Sequence, residues 1–181
     1  NTGEQVLVNA INDMLGNYGA TISFEAASLQ RQGNDAKVQA LIKEMTAGAV
    51  DALFVMDGAN PAFDLPNADK FVEGMGKVKL KVSFSGVPNE TLLACDYAAP
   101  ANHLLESWGD AEAKTGAVSF QQPTIYPLFK TRPFQTSLLK WGGNDKDYDT
   151  FFKEFWTAKL GSEDAFNKAL QDGVKEDAPP T

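Results

Sequence analysis

The spacing of apolar residues divides the first half of the chain into helices and strands. Apolar residues recur every three or four positions over residues 6–15 and again over residues 38–45, which predicts two amphipathic helices. Asn34 or Asp35 is the expected N-cap of the second helix, and Gly48 is its expected stop. Each helix therefore has one face available for packing against a sheet.

Short apolar segments between these helices predict the strands. Residues 52–56, Ala-Leu-Phe-Val-Met, form an uninterrupted apolar run, as expected for a central parallel strand covered on both faces. Residues 80–84 alternate as a second strand, residues 21–24 favour a shorter one, and residues 68–75 favour a helix. This alternation predicts βαβ units and an α/β fold built on a parallel or mixed sheet flanked by helices.

The pattern is looser after residue 84. Residues 90–96 favour a short helix, and residues 97–99 and 117–120 favour short strands. Residues 122–133 contain three prolines and predict an extended surface loop.

The last third of the chain predicts two helices. We expect the first to begin after Asp149 and to end at Gly161, and the second to begin at Ser162. Their inward faces carry Phe151, Phe152, Phe155, Trp156, Leu160, Phe166, Ala169 and Leu170. We interpret this aromatic stripe as core packing rather than a cofactor-binding surface.

Composition limits the classes of function. The 181 residues are 43% hydrophobic and 22% charged, as in a globular protein with a sizeable core. The net charge of −8 argues against a nucleic-acid partner, and no apolar run reaches the length of about 18 residues that predicts a membrane span. Cys95 is the single cysteine, which excludes an internal disulfide and a cysteine-rich metal or iron–sulfur site within the chain.

The turn over residues 56–66 is the main candidate site. It follows a predicted buried strand, and open α/β sheets bind ligands at the carboxyl ends of their strands. Gly58 has no side chain to block a phosphate, and the amide of Asn60 can both donate and accept hydrogen bonds. A Gly-x-Asn-Pro sequence is also a good turn after any buried strand. Both interpretations remain open at this point.

Several short motifs occur in an order that resembles the third domain of molybdopterin oxidoreductases, the family of formate dehydrogenases, nitrate reductases and polysulfide reductases. The resemblance covers residues 9–141. Residues 9–19, which end in Leu-Gly-Asn-Tyr-Gly, look like the family's helix that ends in a Leu-x-Gly-Asn-x-Gly turn. The other motifs are Gly-x-Asn-Pro within residues 52–61, Glu-Thr, Ala-x-Asp and Pro within residues 81–100, and Leu-Glu-x-x-Gly at residues 105–109.

The resemblance implies a fold, a domain organisation and a cofactor site. It implies a Rossmann-like domain over residues 1–141, a helical extension packed on it over residues 142–175, and a tail or linker over residues 176–181. In that family the domain helps to hold a molybdopterin guanine dinucleotide. If the site were retained, the residues at the guanosine end would be Gly58, Asn60, Pro61, Ser83 and Ser85.

Two departures from the family pattern imply that the cofactor has been lost. Active members carry an Asn-x-Glu-Gly-Arg segment, whereas residues 110–120 here have neither that Asn nor that Arg. Asp57 also places a carboxylate beside the expected pyrophosphate position, where like charges repel. The sequence of residues 60–66, 85–96 and 121–139 looks most similar to that of the large iron–sulfur subunit of bacterial alternative complex III, a relative without the molybdenum cofactor.

The preferred hypothesis is a structural and docking domain within a quinol-oxidising respiratory complex. Since the chain begins at Asn1, we expect it to be a segment of a longer protein whose missing part carries the iron–sulfur clusters. Its expected partners are that iron–sulfur region and other subunits, at the periplasmic face of the bacterial inner membrane. We expect no cofactor within the chain and no catalysis by this domain alone.

Two alternatives belong to other classes. One is a working molybdopterin guanine dinucleotide domain of a molybdenum or tungsten oxidoreductase, and the other is a solitary Rossmann-type protein that binds a small ligand.

The remaining polar residues are given structural interpretations. His103, the single histidine, is expected at the surface or as a helix cap rather than in a dyad with Cys95. Glu90 and Asp96 are expected to have a structural role, tying the loop after the fourth strand. The carboxylates at residues 110–112 are assigned to a solvated loop.

Overall fold

The computed structural model describes residues 1–177 and consists of eight α-helices, one 3₁₀-helix and six strands within that range. The α-helices are α1 (Thr2–Met14), α2 (Asp35–Thr46), α3 (Pro61–Asp64), α4 (Ala68–Met75), α5 (Glu90–Leu93), α6 (Phe134–Trp141), α7 (Tyr148–Leu160) and α8 (Glu163–Asp172). The strands are β1 (Ala52–Val55), β2 (Leu80–Ser83), β3 (Tyr97–Ala98), β4 (Gly109–Lys114), β5 (Ala117–Gln121) and β6 (Val174–Glu176), and the 3₁₀-helix is Leu104–Glu106. Residues 178–181, which end the predicted tail, lie outside the described residues.

The first sheet is parallel, with strand order β1-β2-β3. Ala52 pairs with Leu80 and Val55 with Ser83, so the carboxyl ends of β1 and β2 lie side by side. The second sheet has the order β4-β5-β6, and β5 and β6 are antiparallel. The prediction of an α/β, Rossmann-like fold with helices flanking a parallel sheet is confirmed.

The main core lies between one face of the parallel sheet and helices α2 and α4. Its buried members are Ile42, Met45, Leu53, Val55, Phe71, Met75 and Val78. The two helices approach closely at Gly74, where a Cβ atom would lie 3.1 Å from the Cβ of Met45. The predicted amphipathic pattern of α2 and α4 therefore serves this helix–sheet layer.

The opposite face of β1 is only partly covered, so the prediction that residues 52–56 are buried on both faces is wrong. Phe54 is 42% exposed, although its ring lies 5.4 Å from that of Trp141 at the end of α6. The physical reason is that α2 and α4 cover the face that carries Leu53 and Val55, whereas the contact on the Phe54 face is with Trp141 at the end of α6. Strand β1 is also an edge strand of the sheet rather than a central one. An apolar run alone does not distinguish a central strand from an edge strand.

The described chain forms two compact units. One comprises Asn1–Gln32, Asp110–Phe120 and the described residues from Ala169 onward, and the other comprises Gly33–Gly109 and Gln121–Lys168. The boundaries predicted at residues 141 and 175 stay predictions.

The first unit differs from expectation at two places. Residues 21–24 form an isolated bridge, Tyr18 with Ile22, rather than a strand, because the carbonyl of Asn17 accepts from the N–H groups of three residues and curls the chain. Residues 110–112 belong to β4 rather than to a loop, since that strand pairs with β5. Helix α1 is confirmed, but none of its residues is buried.

The two helices that the apolar pattern predicts in the last third of the chain form as α7 and α8, with two corrections to their ends. Asp147 rather than Asp149 caps α7, with its Oδ1 accepting from the N–H of Thr150 at 2.8 Å. The chain after α8 forms β6, where a helix was expected as far as residue 175. Phe152, Trp156 and Phe166 are 2–4% exposed, which confirms core packing for these members of the aromatic stripe. Phe155 is 47% exposed, so its predicted inward position is wrong.

Candidate functional site

The candidate site lies where β1 and β2 end. We call residues 56–61 the first strand-end turn and residues 84–91 the second strand-end turn. A hydrogen bond joins them, because the N–H of Gly86 donates to Oδ1 of Asp57 at 3.3 Å. Parallel pairing of β1 with β2 thus brings together all five residues that the resemblance assigned to a cofactor.

Gly58 and Pro61 set the backbone of the first strand-end turn. Gly58 has a φ angle of +80°, which residues with a Cβ atom adopt only at a cost. No atom lies within 4 Å of the position that a Cβ would occupy, so the space beside Gly58 is open. Pro61 is the first residue of α3, where its missing N–H and fixed φ suit a helix start.

The side chain of Asn60 links the two turns. Its Oδ1 accepts from the N–H and the Oγ1 of Thr91 at 3.1 and 2.8 Å, and its Nδ2 donates to Oε2 of Glu90 at 2.6 Å. Thr91 is fully buried, and its Oγ1 also accepts from the N–H of Ala62 at 3.0 Å. The hydrogen bond from Asn60 lowers the pKa of Glu90, and a hydrogen bond from the backbone amide of Glu90 itself lowers it further.

Ser83, the last residue of β2, and Ser85 of the second strand-end turn are buried and hydrogen-bonded. The Oγ of Ser83 accepts from the N–H of Ser85 at 3.2 Å. The Oγ of Ser85 donates to the carbonyl of Val87 at 2.8 Å and accepts from Nδ2 of Asn89 at 3.3 Å. These bonds shape the turn between β2 and α5.

Several groups that a bound dinucleotide would use already have partners within the chain. The amide of Asn60 and the hydroxyl of Ser85 would have to leave their intrachain partners before they could bind a ligand. The Gly86 N–H is held by a carboxylate, and a second carboxylate, Glu90, lies beside Asn60. A pyrophosphate is favoured by available donors and positive potential, whereas the donors of Asn60, Ser85 and Gly86 are already bonded and two carboxylates add negative charge.

Glu90, Asp96 and His103 have the structural roles predicted for them. Asp96 accepts from the N–H of Lys81 at 2.8 Å and pairs with its Nζ at 2.9 Å, which ties β2 to the start of β3 and lowers the pKa of Asp96. His103 caps the 3₁₀-helix, and its Nδ1 accepts from the N–H of Leu105 at 3.2 Å. Burial, together with the charge of Asp96, raises the pKa of Cys95.

A cleft of about 730 Å³ lies away from the strand-end turns and was not predicted. Asn102, Glu106, Tyr126, Tyr148 and Lys153 are among its lining residues. Both carboxylate oxygens of Glu106 accept backbone N–H groups, from His103 and Leu128, so this carboxylate is a structural tie of the cleft wall. None of the five candidate residues lines the cleft.

Sequence reasoning missed Thr91, the buried centre of the link between the turns. The Glu-Thr motif was visible, but the partner of Thr91, Asn60, is 31 positions away, and only the pairing of β1 with β2 brings the two together.

Among residues 1–177 there is no group of three or more His, Cys, Asp or Glu that could hold a metal ion. No helix in that part of the chain is long and apolar enough to cross a membrane.

Comparisons with known proteins support the resemblance to molybdopterin oxidoreductases. No family model matches the chain. The menaquinone reductase molybdopterin-binding-like subunit of Nitratidesulfovibrio vulgaris is 34% identical over 101 residues, which is 54% of this chain and 14% of that protein. The chain thus spans about a seventh of the length of that relative.

A solved structure confirms the fold independently. Acetylene hydratase from Pelobacter acetylenicus matches 78% of this chain and 21% of its own chain, with a TM-score of 0.52 and 17% sequence identity. At that identity the similarity establishes the fold alone.

Proposed function

We propose that this chain is a structural and docking domain of a molybdopterin-oxidoreductase-like iron–sulfur subunit, and that it binds no cofactor itself. The observation that carries the proposal is the bonding of the strand-end turns, where Asn60, Ser85 and Gly86 already hold partners within the chain. A turn that is satisfied internally keeps its shape without a ligand.

The parent protein in this proposal is a subunit of a bacterial respiratory complex that oxidises quinol, of the alternative complex III type. The relative named as a subunit of menaquinone reductase supports a role in quinone-linked electron transfer. The iron–sulfur clusters belong to the remainder of the parent protein, which lies at the periplasmic face of the inner membrane. This domain contacts the iron–sulfur region and neighbouring subunits.

Exposed apolar surface supports the docking role. Val6, Leu7 and Met14 of α1 are 61–86% exposed, and Tyr97 and Trp141 beside the partly covered face of β1 are 63% and 50% exposed. Apolar patches of this kind mark surfaces that another protein surface covers. The domain contributes this surface rather than a reactive group.

A working dinucleotide domain is the second candidate. The observation in its favour is the open space beside Gly58, at the end of a parallel strand where α/β folds bind ligands. Under that hypothesis the hydrogen bonds of Asn60 and Ser85 rearrange when the dinucleotide binds.

The metal content of the parent protein, purified from its native membrane, separates the two candidates. Abundant iron without molybdenum or tungsten is the expected result and supports a scaffold beside an electron relay. Molybdenum or tungsten at close to one atom per protein would overturn the proposed function. Elemental analysis by mass spectrometry measures all three metals in one sample.

A further inference from the structure

Three successive backbone N–H groups of the second strand-end turn donate hydrogen bonds to side-chain oxygens of the chain itself. Ser85 donates to Oγ of Ser83 at 3.2 Å, Gly86 to Oδ1 of Asp57 at 3.3 Å, and Val87 to Oγ of Ser85 at 3.4 Å. Successive N–H groups in a turn are a common way for a backbone to hold an anion.

Asp57 differs from the other two acceptors in two respects. It is the charged one, and it comes from the neighbouring strand, 29 positions from Gly86, whereas each serine is two positions from the N–H that it accepts. The two serine bonds are local features of the turn, which any ligand-binding form could retain. The bond from Asp57 instead places a carboxylate on the N–H of an exposed glycine.

We propose that Asp57 is an internal anion that closes this strand end to phosphate-bearing ligands. It occupies the Gly86 N–H that such a ligand would need, and its charge repels an approaching phosphate. Glu90, held at 2.6 Å by Asn60, adds a second carboxylate to the same end of the sheet. Asp57 is therefore a specificity-determining residue of the turn. This inference rests on the proposed function, because it supplies the reason why the domain binds no dinucleotide.

The experiment is a titration of the ¹⁵N-labelled full chain with inorganic pyrophosphate, followed at the Gly86 amide by NMR. Asp57→Ala removes the acceptor and its charge, and we expect it to bind pyrophosphate at least about tenfold more tightly than the unchanged chain, with the Gly86 resonance shifting. Asp64→Ala is the matched control, because it removes one exposed carboxylate from the neighbouring helix α3. We expect the control to respond like the unchanged chain.

Two results would overturn the proposal. One is an equal response of the Gly86 amide in the unchanged chain and in Asp57→Ala, and the other is the absence of any response in Asp57→Ala. If Asp57→Ala does not fold, Asp57→Asn replaces it, since that change keeps the side-chain shape and removes the charge; it too must bind more tightly than the unchanged chain. The proposed function fails by a different observation, the presence of molybdenum or tungsten in the parent protein.

Discussion

Single side chains decide how the two strand-end turns are held. The Oγ1 of Thr91 donates to Asn60 and accepts from the N–H of Ala62, so one buried hydroxyl of the second strand-end turn satisfies groups of the first turn and of α3. A buried polar network of this kind is stabilising only while every member has a partner. Its disruption is therefore expected to affect the fold rather than any chemistry.

Thr91→Val tests this role, because it keeps the shape of the side chain and removes the hydroxyl. We expect the free energy of unfolding to fall by about 1–3 kcal/mol, since the N–H of Ala62 loses its acceptor in a partly buried position. Thr2→Val, at an exposed position at the start of α1, is the matched control and should change stability by less than about 0.5 kcal/mol. Urea unfolding monitored by circular dichroism measures both; equal losses would contradict the assigned role.

The sequence predicts the helix ends well where the partner residue is near, although the cap of α7 is Asp147 rather than Asp149. Asn34 caps α2 through a bond to the N–H of Lys37, and Gly161 ends α7 with a φ angle of +89°. The partners of Asn60 and Asp57 lie about thirty positions away, and their contacts depend on the strand pairing. The sequence therefore predicts which residues lie at the candidate site, but it does not predict their hydrogen-bond partners.

At the level of elements, the contact between α2 and α4 depends on the absence of a side chain at Gly74. In a helix interior Gly→Ala usually stabilises, because glycine loses more backbone entropy on folding. At this position the new Cβ would lie 3.1 Å from the Cβ of Met45 and 3.4 Å from the Oγ1 of Thr46. Met45 is fully buried and its Cβ is fixed to the backbone, so the steric term is expected to dominate.

We therefore expect Gly74→Ala to lower the free energy of unfolding by about 1–2 kcal/mol. Gly33→Ala is the control: no atom lies within 4 Å of its new Cβ and its φ angle is not positive, so stability should be unchanged or slightly higher. Thermal unfolding of the two variants gives the comparison. A stabilised Gly74→Ala variant would mean that α2 and α4 separate more easily than their packing implies.

Elements with clear apolar periodicity were predicted well, and those without it were not. Helix α4 has the bounds expected from its pattern, residues 68–75. Strand β4 has the sequence Gly-Asp-Ala-Glu-Ala-Lys and contains no large apolar residue. All but its first residue are exposed. Its strand conformation comes from pairing with β5, which follows after the two residues Thr115 and Gly116. Gly116 has a φ angle of +80°, so the turn itself was a local signal for the pair, although the polar composition of β4 favoured a loop.

At the scale of the whole molecule, the fold class followed from the alternation of strands and helices, whereas the extent of burial did not. Periodicity identifies an apolar face without identifying what covers it. Helix α1 has the apolar pattern of a packed helix but no buried residue, and the outward face of β1 carries the half-exposed Phe54. Both observations agree with a domain whose remaining surface is completed by other parts of a longer protein.

Hydrogen exchange of the backbone amides tests this view without any substitution. Helices α1 and α7 each have 13 residues, but α7 buries Phe152 and Trp156. In the isolated chain we expect the amides of α1 to exchange roughly a hundredfold faster than those of α7, because a helix without buried side chains opens at little cost.

In the parent protein the exchange of α1 and of β1 should slow, because a docked surface protects amides that are open in the isolated chain. Helix α4, whose Phe71 and Met75 are already buried, is the internal control and should exchange at a similar rate in both states. If α1 and β1 exchange equally fast in the two states, neither surface is covered in the parent protein, and the docking role would have to be assigned to another face of the domain. Slower exchange at α1 alone would place the interface on that helix and leave the half-exposed face of β1 as ordinary surface.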